Sequence, residues 1–159
     1  MILIAHVLPI VMALAHEPTA RPDLPTVQAT LTHGRDVIVT MKIINPLPDA
    51  IVLLSVDRPN FIADAKECFM TVSSVVTSDL LEHAFTPSLT RVESKGSWTA
   101  AVTVPRDLLN RGKCRNWTFQ IQLAYLTVED ASASRLSRDA VIRQQRVIAT
   151  EKLQLPRAV

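Results

Sequence analysis

The chain has 159 residues, of which 48% are apolar and only 4% aromatic, so we expect one domain with a mostly aliphatic core. Its 17 basic and 15 acidic residues give a formal net charge of +2 and form no concentrated basic face, which argues against a nucleic-acid-binding protein. The chain has only 3 glycines, and neither GxxxxGK(S/T) nor GxGxxG, the phosphate-binding patterns of nucleotide-binding proteins, occurs in it.

The apolar N-terminus predicts export. Residues 1–15 contain no Lys, Arg, Asp or Glu and end in Ala13-Leu14-Ala15, a small-x-small pattern that signal peptidase accepts. The run is too short for a membrane-spanning helix, which needs about 20 apolar residues. We therefore predict a signal peptide over residues 1–15 and a periplasmic or extracellular protein. No Lys or Arg stands near Met1, and an uncleaved anchor or a first strand would also fit this pattern.

The pattern after this segment predicts an extended arm and then a series of strands. Residues 16–25 contain three prolines and form the predicted Pro-rich N-terminal arm, because proline denies regular hydrogen bonding. The predicted sandwich domain follows over residues 26–156. Its first three strands form a β-meander, and their ranges are 26–32, 37–44 and 50–56.

The rest of the domain also consists of short strand patterns. Segments 69–76 and 89–92 are weak strands, 98–104 alternates clearly, and 105–109 predicts one helical turn that begins with proline. The best strand covers 117–125, where alternate residues from Trp117 to Tyr125 are large and apolar. We predict a long loop over 129–138 and a last strand over 146–155.

Seven to nine short strands without an amphipathic helix predict an all-β fold, specifically an antiparallel immunoglobulin-like β-sandwich. Trp98 and Trp117 are expected on facing strands of its core. The other expected core residues are Val39, Met41, Leu53, Val102, Phe119, Ile121 and Leu123.

Cys68 and Cys114 are the only cysteines, so one intramolecular disulfide is possible. An oxidising compartment would favour that disulfide, which would close a long loop. Two free buried thiols are the alternative. The wide spacing excludes a CxxC redox motif and a zinc site made of several cysteines.

The sequence contains no recognisable catalytic motif, neither GxSxG nor HExxH, and we expect no cofactor. The leading hypothesis is an exported, non-enzymatic binding module or accessory subunit of a larger complex. Its partner would be another protein rather than a nucleic acid, and no membrane span would remain after signal cleavage.

The alternative hypothesis is copper binding. Cleavage after Ala15 would make His16 the N-terminal residue, whose α-amine and ring nitrogen suit Cu(II). His33 or His83 would supply the second imidazole of a histidine brace. In this one residue the processed chain resembles exported copper carriers and polysaccharide monooxygenases, and the resemblance implies a copper site of His16 with either His33 or His83.

Overall fold

The computed structural model describes residues 23–79, 86–110, 113–132 and 136–155. Within these ranges ten strands and three short helices are present, so the all-β prediction is confirmed. The strands are β1 (Thr26–His33), β2 (Val37–Ile44), β3 (Ile51–Leu54), β4 (Asn60–Asp64), β5 (Phe69–Ser73), β6 (Leu89–Val92), β7 (Ser97–Val104), β8 (Thr118–Thr127), β9 (Arg146–Ala149) and β10 (Leu153–Gln154). The helices are α1 (Arg106–Leu109), α2 (Val128–Ser132) and α3 (Arg138–Gln144).

Sheet A contains three antiparallel strands in the order β1-β2-β7. Its strands form where apolar and polar residues alternate, because successive side chains of a strand point to opposite faces. On β2 the exposed residues are Ile38 and Lys42. The inward-facing residues of β2 are all buried, and they are Val37, Val39, Met41 and Ile43.

Sheet B is built around β8. One side of β8 pairs first with β5 and then with β3, and the other side pairs with β10 and β9. Gln122 of β8, for example, is paired with Ser73 of β5 on one side and with Ala149 of β9 on the other. β4 pairs with β5, and β6 pairs with β3. β5 and β8 run parallel, so the prediction of purely antiparallel pairing was wrong here. The long chain between them, which includes β6, β7 and α1, makes that crossover possible.

The inward faces of the two sheets share one hydrophobic core. Of the predicted core residues, all except Val102 are fully buried. Val102 is half-buried because it lies on β7, an outer strand of sheet A. Trp117 is buried and Trp98 is half-buried, and both contact this core.

A smaller apolar cluster lies on the other face of sheet B, where α3 packs. Val141 of α3 is fully buried together with Leu54 of β3 and Leu126 of β8. The predicted loop over 129–138 was therefore wrong, because this region contains α2 and the start of α3. The Ser137 hydroxyl accepts a hydrogen bond from the N–H of Ala140, which caps α3 at its N-terminus.

The C-terminal strand was predicted as one element over 146–155, but the chain forms β9 and β10 with a break between them. At the break the Thr150 hydroxyl accepts the N–H of Ile121 in place of a main-chain carbonyl. Thr150 N–H in turn donates to the Ile121 carbonyl. A side chain thus continues the hydrogen bonding of β8 where the strand pattern stops.

The predicted disulfide is confirmed: Cys68 and Cys114 are bonded, with their Cα atoms 5.5 Å apart. It ties the turn between β4 and β5 to the segment that leads into β8. The signal-peptide prediction over 1–15, and most of the arm over 16–25, lie outside the described residues. Among the described helices, none has the length and apolar character required to span a membrane.

Candidate functional site

The two edge strands of sheet A differ in what lies beside them. β1 contacts β8, β9 and β10, so this edge of sheet A closes onto sheet B. β7, the other edge strand, has β2 as its only substantial neighbour among the described elements. No other described strand therefore covers the two-sheet core along β7, and we call this side of the strand the β7 edge.

Half of the main-chain groups of β7 point to this open side. The carbonyl of Gly96 accepts the N–H of Asn45 at 2.9 Å, and these two residues are opposite each other in the extended β2–β7 register. Because hydrogen-bonded residues alternate along an antiparallel strand, the even-numbered residues of β7 bond to β2. The residues whose N–H and C=O groups point away from β2 are Ser97, Thr99, Ala101 and Thr103.

The β7 edge lacks the features that usually protect an exposed strand. β7 has 8 residues and contains neither a charged residue nor a proline. The outer strands of sheet B are shorter and charged, since β4 has 5 residues with Asp64 and β6 has 4 residues with Arg91. An unprotected edge of this length is suited to pairing with another strand.

The side chains of β7 also indicate a missing neighbour. Trp98, Ala100 and Val102 point to the core, yet all three stay half-buried, whereas only Val104 is fully buried. The corresponding inward residues of β2 are completely covered. An additional strand beside β7 would cover the three half-exposed apolar side chains and extend the core.

A second candidate is a cavity of about 590 Å³ at one end of the two sheets. Such a volume is in the range of small-molecule sites, about 300–1,000 Å³. Its walls include Leu47, Ile51 and the buried ring of Tyr125. Arg146 lies opposite Tyr125 in the β8–β9 register, so it occupies a core-facing position at the end of its strand.

The same cavity has charged groups of both signs on its rim. Asp49 and Glu129 bring carboxylates, and Arg146 brings a guanidinium group. None of these three forms an ion pair with another residue in the ranges that the structure describes. The cavity could therefore receive a small ligand that carries opposite charges and an apolar body. It contains no arrangement that by itself specifies a reaction.

Of the residues of the predicted copper site, the structure describes His33 alone, so the site stays a prediction. His33 is half-buried at the end of β1, beside the β1–β2 turn. His16 and His83 lie outside the described residues. In the described part of the chain, no three or more His, Cys, Asp or Glu side chains are grouped so that they could hold a metal ion.

Among the described residues, the carboxyl group of Asp57 has a pKa below its ordinary value. The Ser88 hydroxyl, just before β6, donates a hydrogen bond to the carboxylate of Asp57 in the β3–β4 turn. This hydrogen bond lowers the pKa of Asp57. The carboxylate is exposed, so the contact fastens a surface turn to a neighbouring strand and does not create a reactive acid.

No protein-family model, curated protein or solved structure matches the chain. The function is therefore inferred from the geometry of the β7 edge and the cavity. Sequence reasoning found the strand pattern of β7 but not its importance. The signal was present as an eight-residue run without charge, although only the folded arrangement shows that none of the described strands lies beyond it.

Proposed function

We propose that the protein is an exported, non-enzymatic binding module, an accessory subunit that accepts a strand of a protein partner at the β7 edge. The observation that carries this proposal is the edge itself, with eight uncharged residues and outward-pointing main-chain groups on every second residue. Proteins that recognise an extended segment by strand addition use main-chain hydrogen bonds for affinity and side-chain contacts for specificity.

Export is part of the same proposal. The disulfide between Cys68 and Cys114 supports it, because such bonds persist mainly in oxidising compartments. The signal-like segment over 1–15 supports it independently. We also propose that the two sheets form an immunoglobulin-like sandwich, a type of fold that accommodates many unrelated binding roles and does not select one by itself.

The magnitude of the interaction favours a partner that offers both main chain and apolar side chains. Four edge residues can form eight main-chain hydrogen bonds, and each contributes a net of about 1 kcal/mol. Association costs about 4–15 kcal/mol in lost translational and rotational freedom. Main-chain pairing alone therefore gives weak binding at best. Burial of Trp98, Ala100 and Val102 would supply the additional stabilisation.

The test is to block the edge without damaging the fold. Ala101→Pro removes an N–H that β2 does not use, and its ring obstructs an incoming strand, as prolines on natural edge strands do. Ala101→Thr is the matched control, since it changes the side chain at the same position and keeps the N–H. Both variants and the wild-type protein would be tagged and isolated from the source cells, and their bound chains identified by mass spectrometry.

We expect stoichiometric partner chains with the wild-type protein and with Ala101→Thr, and their loss with Ala101→Pro. Thermal unfolding of all three proteins would establish that each is folded. Equal recovery of the same chains with both variants would refute strand addition at β7.

A further inference from the structure

We infer that the strand accepted at the β7 edge is β7 of a second copy, so that two copies of sheet A form one continuous six-stranded sheet across a two-fold axis. This inference rests on the proposed use of the edge and adds the identity of the partner. Self-pairing requires that one surface complements itself, because a two-fold interface uses the same patch on both copies. The residues of β7 meet this requirement in charge, in hydrogen bonding and in side-chain size.

The charge condition is met because β7 contains no ionisable residue. A two-fold axis brings equivalent residues of the two copies close together, so a charged strand would place like charges near each other. β4, with Asp64, and β6, with Arg91, would have this disadvantage. Among the outer strands that the structure describes, β7 is the one that is long, open and uncharged.

Hydrogen bonding then selects the register. Both pleats stay aligned only when core-facing residues oppose core-facing residues, so the register can shift only in steps of two. One such register opposes Ser97 to the second copy's Thr103, and Thr99 to the second copy's Ala101. All four edge residues of each copy are then paired, and eight main-chain hydrogen bonds form.

The next register is poorer. It opposes Ala101 to its own equivalent and shifts Ser97 opposite Pro105 of the second copy. Proline has no N–H, so one hydrogen bond is lost at each end of the pair. The carbonyl of Pro105 already accepts the N–H of Leu108 in the turn that starts α1. The first register uses only residues of β7 and avoids this conflict.

Side-chain size supports the first register. The two-fold axis passes between the two Ala100 residues, whose small side chains permit close approach at the centre. Trp98 of each copy opposes Val102 of the other, an aromatic–β-branched pair of the kind that stabilises neighbouring strands. The half-buried side chains of β7 thus cover each other.

Cross-linking tests this register directly. Both natural cysteines are joined in the disulfide, so a single introduced cysteine is the one free thiol. Ala100 opposes its equivalent at a non-hydrogen-bonded position of the β7–β7 pair, where Cα atoms are about 4.5 Å apart, close enough for a disulfide. We expect the Ala100→Cys full-length protein to oxidise to a covalent dimer on non-reducing gels. Ala101→Cys is the matched control, and it should form no covalent dimer on the same gels, because the two introduced cysteines lie diagonally and farther apart.

Sedimentation analysis of the wild-type protein, which has no free thiol, provides a second measurement that does not depend on an introduced cysteine. We expect a concentration-dependent dimer whose dissociation constant rises at least about tenfold in Ala101→Pro, because one donor is lost from each copy. Ala101→Thr should dimerise like the wild-type protein.

The possible failures are distinguishable. A wild-type monomer at all concentrations, whose capture of a different chain is abolished by Ala101→Pro, would overturn the second-copy inference and leave strand addition in place. A monomer whose Thr99 and Ala101 amides are protected from exchange would overturn it too, since the edge would then be covered by the same chain. A dimer unaffected by Ala101→Pro would overturn the second-copy inference, and it would overturn strand addition as well if Ala101→Pro also recovered the same partner chains as the wild-type protein.

Discussion

Replacing Asn45 with alanine should destabilise the domain more than any other single loss of a polar side chain from the β2–β3 connection. Asn45 is fully buried where β2 ends. Its amide nitrogen donates to the carbonyl of Asp49 at 2.9 Å and to that of Glu93 at 3.0 Å. Its side-chain oxygen accepts the N–H of Leu47 at 3.1 Å. One side chain thus holds the connection between the two sheets against the turn before β7.

The expected cost follows from these three hydrogen bonds. Each contributes a net of about 1 kcal/mol, and buried partners left without a hydrogen bond add to the loss, so we expect about 3–5 kcal/mol for Asn45→Ala. That is a large part of the about 5–15 kcal/mol that stabilises a typical domain. Asn110→Ala is the control, because Asn110 is an exposed residue at the end of α1, and its cost should be within about 0.5 kcal/mol.

Urea denaturation of the oxidised protein, followed by tryptophan fluorescence, measures both free energies of unfolding. Trp98 and Trp117 contact the main core, so their emission reports its disruption. A cost below about 1 kcal/mol for Asn45→Ala, or equal costs for the two variants, would refute the assignment of Asn45 as the anchor of this connection.

Three further predictions concern the core, the disulfide and the shifted carboxyl group. Ile121→Ala should cost about 2–5 kcal/mol in the same denaturation assay, because the side chain is fully buried, and a cost near zero would contradict this packing. Replacing Cys68 and Cys114 with serine should lower the unfolding free energy by about 4 kcal/mol, since the loop they close is long, and unchanged stability would contradict this estimate. Ser88→Ala should raise the pKa of Asp57 towards its ordinary value in an NMR titration, and no change would exclude the hydrogen bond as the cause. Because the pKa of Asp57 is lower in the folded state, this carboxylate stabilises the fold at pH values above its unfolded pKa, and that stabilisation is lost as the pH falls through the folded pKa. The wild-type protein and Ser88→Ala should therefore converge in stability in acid.

The sequence predicted those strands that have one buried and one exposed face. The predicted bounds of β2 and β6 match the structure, and those of β1 and β7 differ by a single residue. A half-buried strand has a period of two that a sequence shows directly. For the same reason the core residues of the central strands could be predicted without knowledge of the topology.

Other elements could not be predicted, because their causes lie elsewhere in the chain. β4 has no long apolar run and forms by pairing with β5. α3 is short, and its one fully buried residue, Val141, packs on the outer face of sheet B. Parallel pairing of β5 with β8 depends on the crossover between them, which no local pattern specifies.

The sequence predicts only part of the candidate site. The uncharged run of β7, and the strand that it forms, can be predicted from the amino-acid sequence alone. Its position at an open edge depends on the strand order β1-β2-β7, and on the closure of β1 rather than β7 onto sheet B. The cavity was missed because Arg146 and Asp49 are more than ninety positions apart and meet only through folding.

Amide hydrogen exchange along β7 tests the central claim most directly. In the assembled protein the edge amides of Thr99 and Ala101 should exchange as slowly as the amides of Trp98 and Ala100, which bond to β2. On dilution to the monomer only the first two should become fast. Edge amides that exchange rapidly in both states, while the amides facing β2 remain protected, would show that no strand docks at the β7 edge.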